Sequence, residues 1–199
     1  MSSFEENIIC SPVTIYKTEH DFIQNVISGS SFPWFYQGSQ TFNDVKETKN
    51  LPAGMTYFNG PYLSHILLRR TEVEETSHLT RSAKDFSEHY EFFIEIFHRW
   101  MTEQGLKYTK IFRANLNLNW YNGDMHTEPH LDHSWEHNNF IMYLDTCDNA
   151  ETLVWDDDFS EMCAIPCVGY TAVSFKSRWH AHKYPPVGQR RLVLVVTYI

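Results

Sequence analysis

The chain has 199 residues, 42% hydrophobic and 21% charged, which suits one domain of ordinary size and excludes wholesale disorder. Aromatic residues reach 16%, pointing to a core of large rings or an aromatic-lined site. The formal net charge is −9, and residues 121–199 carry 11 acidic against 5 basic side chains, so nucleic acid is not an expected partner.

No apolar stretch approaches the length of a membrane span, and the start Met1-Ser-Ser-Phe-Glu-Glu lacks the basic and apolar segments of a signal peptide. Cys10, Cys147, Cys163 and Cys167 do not form the pattern of a disulfide scaffold. The expectation is a cytoplasmic protein with no membrane association.

From Thr18 to Ser28 the apolar stripe Phe22, Ile23, Val26, Ile27 predicts a short helix ended by Gly29. Residues 30–62, rich in Pro, Gly, Asn and aromatics, read as irregular or short-strand structure, and the polar run 69–84 as an exposed loop. Tyr90, Phe93, Ile94, Phe97, Trp100 and Met101 recur at helical spacing, predicting a helix from Ser87 to Gln104 that backs a sheet and stops at Gly105. The pattern then changes. Residues 111–121 alternate almost cleanly, and further strands are predicted over 139–145, 151–155, 162–166, 171–175 and 190–198. Short spacing between these strands indicates an antiparallel sandwich or barrel. The expected organisation is a single domain, with a helical and irregular part over 1–110 packed on a β-core over 111–199.

Six of the 11 histidines fall between residues 126 and 182. In His130-Leu-Asp132, residues two apart on a strand share a face, so an imidazole and a carboxylate can converge on one ion. His180 offers a third ligand from a distant part of the chain. Two histidines and one carboxylate on one face of an ion leave its other positions open, the arrangement of non-haem iron(II) oxygenases.

The segment Tyr121-Asn-Gly-Asp-Met-His-Thr-Glu-Pro-His-Leu-Asp132 resembles the iron-binding segment of iron(II)/2-oxoglutarate-dependent oxygenases, particularly the prolyl-4-hydroxylase-like branch. The stretch Pro33-Trp-Phe-Tyr36 is similar to phage and marine-bacterial members. His180-Ala-His-Lys-Tyr-Pro-Pro-Val-Gly-Gln-Arg190 resembles that branch's second signature. The resemblance covers residues 111–199. It implies a double-stranded β-helix (jelly roll, cupin-like) core, mainly β with flanking N-terminal helices. It also implies His130, Asp132 and His180 as catalytic iron ligands, 2-oxoglutarate as cosubstrate, O2 as oxidant, and succinate and CO2 as products.

The distal carboxylate of 2-oxoglutarate calls for an arginine fork. Arg190 and Arg191 are neighbours on a predicted strand, so only one can face inward. The spacing from His180 and the preceding Gly188 favour Arg190, while Leu192-Val-Leu-Val-Val196 is apolar on both faces and does not arbitrate. Tyr121 is a further cosubstrate candidate, with a core tyrosine as the alternative. Asn115, Asn117 and Asn119 form a polar stripe that either lines a wet interior or faces solvent. His182, on the same strand face as His180, is a competing ligand, and His133 and His137 are pocket-lining at most. A peptidyl or free proline-like substrate is the resemblance's implication, and a cupin-like metal-binding jelly roll without 2-oxoglutarate chemistry is the alternative function.

Overall fold

The computed structural model describes residue 4 and residues 7–39, 55–69 and 85–199. Most of the expected loop at 69–84, and part of the irregular stretch 30–62, lie outside the described residues.

Among the described residues, ten strands form two antiparallel sheets. In chain order they are β1 (Ile8–Pro12), β2 (Phe35–Gln37), β3 (Tyr62–Leu68), β4 (Ile111–Trp120), β5 (Asn138–Tyr143), β6 (Cys147–Trp155), β7 (Met162–Cys167), β8 (Thr171–Lys176), β9 (His180–His182) and β10 (Arg190–Tyr198). The larger sheet runs β1-β8-β5-β10-β4-β3-β2 and the smaller β7-β6-β9. Two helices accompany them, α1 (Lys17–Phe22) and α2 (Tyr90–Glu103). The six predicted strands are all present; β1, β3 and β9 were not anticipated.

Helix α1 begins one residue before Thr18 and continues through a π-helical turn over Ile23–Ile27, in which the Ser28 N–H donates to the Ile23 carbonyl at 3.0 Å. Gly29 ends the turn because a β-carbon there would lie 2.8 Å from the Asn25 carbonyl oxygen. Helix α2 ends in a Schellman motif: Gly105 has φ +67°, Leu106 N–H bonds to Met101 O at 2.8 Å and Gly105 N–H to Thr102 O at 3.1 Å. Glu19 of α1 ties the helices together through a 2.7 Å ion pair with Arg99.

The period-2 alternation of the large sheet divides the molecule into two cores. On one face Ala114, Leu116, Phe140, Met142, Ala172, Leu192, Leu194 and Val196 pack against the α2 stripe Phe93, Ile96, Phe97, Trp100 and Met101, as its periodicity predicts. On the other face Ile141, Tyr143, Val173, Phe175, Val193 and Val195 meet Ala150, Val154, Ile165 and Cys167 of the smaller sheet. The functional residues sit between the sheets, on this second face. The four cysteines are all free. Among the described residues, no helix is long and apolar enough to cross a membrane.

Candidate metal centre and cosubstrate pocket

Residue 130 does not lie in a long strand. It sits in the loop after β4 and forms an isolated antiparallel bridge with β9, where His130 and His180 exchange backbone hydrogen bonds of 3.0 and 3.1 Å. This pairing puts two imidazoles that are distant in sequence side by side, with ring centroids 4.5 Å apart. Asp132 completes a group whose potential ligand atoms all lie within 4.8 Å of one another.

The hydrogen bonds around the histidines decide which nitrogen faces inward. His130 Nδ1 lies 3.0 Å from the Glu128 carbonyl oxygen, and His180 Nδ1 lies 3.0 Å from the Arg178 carbonyl oxygen. A carbonyl only accepts, so both Nδ1 atoms carry hydrogen and donate, which leaves the Nε2 lone pairs for an ion. His180 Nε2 is 3.4 Å from Asp132 Oδ2, with both side chains under one-tenth exposed. Two acceptors at that distance repel unless a proton or a cation lies between them.

Arg113 of β4 donates from Nη1 to Asp132 Oδ1 at 3.0 Å. Read with its amide oxygen toward the guanidinium, Asn115 accepts from Arg113 Nε and Nη2 at 2.9 Å each. The arginine is thereby fixed on two sides. Burial alone would raise the Asp132 carboxyl; the hydrogen bond and charge of His180, then Arg113 and His130, outweigh it and hold the carboxyl well below 3.8. Burial, helped by the nearby His180, lowers His130 to about 4, so its imidazole is neutral and able to ligate at neutral pH.

A cavity of ≈ 60 Å³ adjoins the triad, lined by Tyr62, Asn117, Thr152, His182, Arg191 and Val193, among others. Arg191 is 3% exposed. Its Nη2 donates to Thr152 Oγ1 at 2.7 Å and its Nε to the Ala150 carbonyl at 3.3 Å, while the guanidinium sits 5.6 Å from the centre of the Tyr143 ring.

No protein-family model and no curated sequence matches the chain. Solved structures do. A 2OG-Fe(II) oxygenase family oxidoreductase from Burkholderia pseudomallei superposes with a TM-score of 0.64 at 13% identity, over 98% of this chain and 85% of that one. A prolyl hydroxylase from Trichoplax adhaerens, solved with a hypoxia inducible factor peptide fragment, gives 0.57 at 10% identity over 97% and 83%. The non-heme α-ketoglutarate-dependent carbocyclase SnoK from nogalamycin biosynthesis gives 0.57 at 11% identity over 100% and 83%. The chain has the fold of the 2OG-Fe(II) oxygenases. The jelly-roll core with helices packed on it, expected from the sequence, is therefore the architecture found.

On this oxygenase fold the two arginines take opposite sides of β10, and the preference for Arg190 is corrected. Arg190 pairs with Trp120 in register and points away from the cavity: its Nε donates to Asp145 Oδ2 at 3.0 Å and its Nη2 to Ser28 Oγ at 2.9 Å. Arg191 pairs with Asn119 and shares the cavity face with Val193 and Val195. Tyr121 is corrected in the same way. It is 40% exposed and lines a separate open depression with Arg190 and Asp145, because the strand ends at Trp120 and the chain turns away from the cavity.

The asparagine stripe faces inward, with Asn117 and Asn119 on the cavity wall. His133 and His137 do not line the cavity; His133 Nε2 is 2.8 Å from Thr197 Oγ1 and His137 Nδ1 is 2.7 Å from the Trp135 carbonyl. Sequence reasoning missed Tyr62, Arg113 and Thr152. Arg113 carried a signal, because it extends the alternation of Asn115, Asn117 and Asn119 by one step. Tyr62 carried none, since only the pairing of Ser64 with Asn117 brings its strand to the site.

Proposed function

We propose that this chain is an iron(II)- and 2-oxoglutarate-dependent dioxygenase that hydroxylates a peptidyl or free proline-like substrate. The donor set fits the metal. Two imidazoles with inward-facing Nε2 atoms and one anionic carboxylate suit a divalent ion that must keep positions open. The carbonyls of Glu128 and Arg178 orient the two rings through their Nδ1 hydrogens, and Arg113 holds the non-facing carboxylate oxygen of Asp132. These contacts fix ligand geometry before any ion arrives.

Arg191, steadied by Thr152, is the fork that takes the distal carboxylate of 2-oxoglutarate. Ile141, Val193 and Val195 supply the apolar wall that keeps water from the reacting atoms. Bound together, iron(II) and 2-oxoglutarate would supply the oxidising chemistry, with O2 reduced and the keto acid converted to succinate and CO2. The proline-like substrate comes from the sequence resemblance, and a shared fold does not by itself select a substrate.

The observation that carries this reading is the approach of His180 Nε2 and Asp132 Oδ2 to 3.4 Å beside a cavity that also holds Arg191. Anaerobic addition of iron(II) and then 2-oxoglutarate tests it. A visible charge-transfer band is expected in the parent and is expected to vanish in His130→Ala. Iron binding without any band on adding 2-oxoglutarate would favour the cupin-like alternative. Peptide and metabolite profiling for a gained oxygen atom then tests the substrate.

A further inference from the structure

The cavity holds one buried imidazole that the scheme above leaves unused. His182 is 8% exposed and lines the cavity, and its Nε2 has no hydrogen-bond partner among the described residues. Three of the other buried histidines reach partners. His65 reaches the Pro33 carbonyl and Ser87 Oγ, His133 reaches Thr197, and His180 reaches the Arg178 carbonyl. A buried polar atom left without a partner costs about 1–3 kcal/mol, so this nitrogen is placed for a polar partner that the protein itself does not supply.

Its position points to that partner. On β9, residues two apart share a face, so His182 follows His180 along the cavity wall. The strand partner of His182 is Thr152, the residue whose hydroxyl takes the Arg191 guanidinium at 2.7 Å. The backbone of His182 is pinned on both sides by Thr127, through a 2.8 Å bond from Thr127 N–H to the His182 carbonyl and a 2.9 Å bond from His182 N–H to Thr127 Oγ1. Ring and guanidinium thus line one cavity with the candidate metal ligands, joined through Thr152.

We propose that His182 donates from Nε2 to the distal carboxylate of the five-carbon keto diacid, as a second binding group beside Arg191. This rests on the cosubstrate reading above and deepens it. A single guanidinium leaves lone pairs of the carboxylate unused, and His182 takes one of them. It makes selection of a dianionic keto acid over a monoanionic one a property of two side chains.

The test compares two keto acids on the full chain loaded anaerobically with iron(II): 2-oxoglutarate, and 2-oxobutanoate, which lacks the distal carboxylate. Affinity is read from the charge-transfer band. In His182→Phe, 2-oxoglutarate is expected to bind about 10-fold more weakly while 2-oxobutanoate stays within about two-fold of the parent, a difference of one charge-assisted hydrogen bond. His182→Gln, which keeps a donor, is expected to recover most of the loss and serves if the phenylalanine variant does not fold. Nitrogen-15 imidazole spectra of the zinc-loaded parent are expected to show a His182 N–H protected from exchange when 2-oxoglutarate is added. Unchanged 2-oxoglutarate affinity in the variants, or equal loss for both acids, overturns the role of His182 and leaves the enzyme assignment standing. Absence of a band in the parent with either acid overturns both.

Discussion

Arg113 and Asp132, 19 residues apart in the chain, close an ion pair of 3.0 Å at the edge of the triad. The arginine comes from the strand that also carries Asn117 and Asn119, so a residue of the large sheet holds a candidate ligand on a loop. Outer contacts of this kind typically carry 10- to 100-fold of metal affinity. Arg113→Met is expected to weaken iron(II) or nickel(II) binding by about that factor, measured by competition titration. His130→Ala removes a ligand outright and is expected to cost more. Equal affinity in parent and Arg113→Met would mean that the rest of the site suffices to orient Asp132.

The neighbouring arginines of β10 provide an internal control. Arg191→Met is expected to weaken 2-oxoglutarate binding at least about 10- to 100-fold, since it removes charge-assisted hydrogen bonds from a buried spot. Arg190→Met is expected to leave that binding unchanged. Its pair with Asp145 is partly exposed, so the stability loss should be roughly 0–1 kcal/mol. Titration of the charge-transfer band and thermal melts measure the two effects separately, and reversed roles would be fatal to the pocket described.

Acid should destabilise the metal-free protein from about pH 6.5 downward. Burial and the neighbouring His180 lower His130 to about 4, and burial with the charge of Arg191 lowers His182, both from an ordinary 6.5. Between pH 6.5 and about 4 the unfolded chain therefore binds protons that the folded chain refuses, and stability falls as pH falls. Each group contributes up to about 1.4 kcal/mol per pH unit in that window. Urea midpoints at pH 7, 6 and 5 should decline, with a shallower slope in His182→Phe. A flat profile across that range would contradict the burial of these rings.

Helix α2 should be the most sensitive element for folding. Phe97 is fully buried and meets Phe140 and Tyr198 edge-on at centroid distances of 5.0 and 5.3 Å. Phe97→Ala is expected to cost about 3–5 kcal/mol by lost transfer energy and a residual cavity. Denaturant melts check this, and a loss under about 1 kcal/mol would mean that the interface repacks.

The legible parts of the molecule were those with strong periodicity. The α2 stripe and the alternation of β4 each announce an element and its buried face. The grouping of His130, Asp132 and His180 as candidate ligands was suggested by the family resemblance of the two segments around them, since a His-x-Asp pair alone is common. What stayed hidden depended on pairing between strands. β10 is apolar on both faces, because one covers α2 and the other walls the cavity, so no pattern within it distinguishes Arg190 from Arg191. The choice becomes visible only when Arg191 is set opposite Asn119, within the polar row of β4. β9 is three residues long and too short to show a period. Its identity as a strand comes from its partners on β6.

The alternation of β10 has one more effect. Leu192, Leu194 and Val196 seat the helices, while Arg191, Val193 and Val195 furnish the chamber. Sliding that strand by a single position would drive a guanidinium into the helix-facing hydrocarbon and present leucines to the cavity. Correct folding and competence for chemistry are thus tested by the same alignment. A misthreaded molecule cannot persist as a weakly active one, because the error that empties the chamber of its charge also unseats the helices.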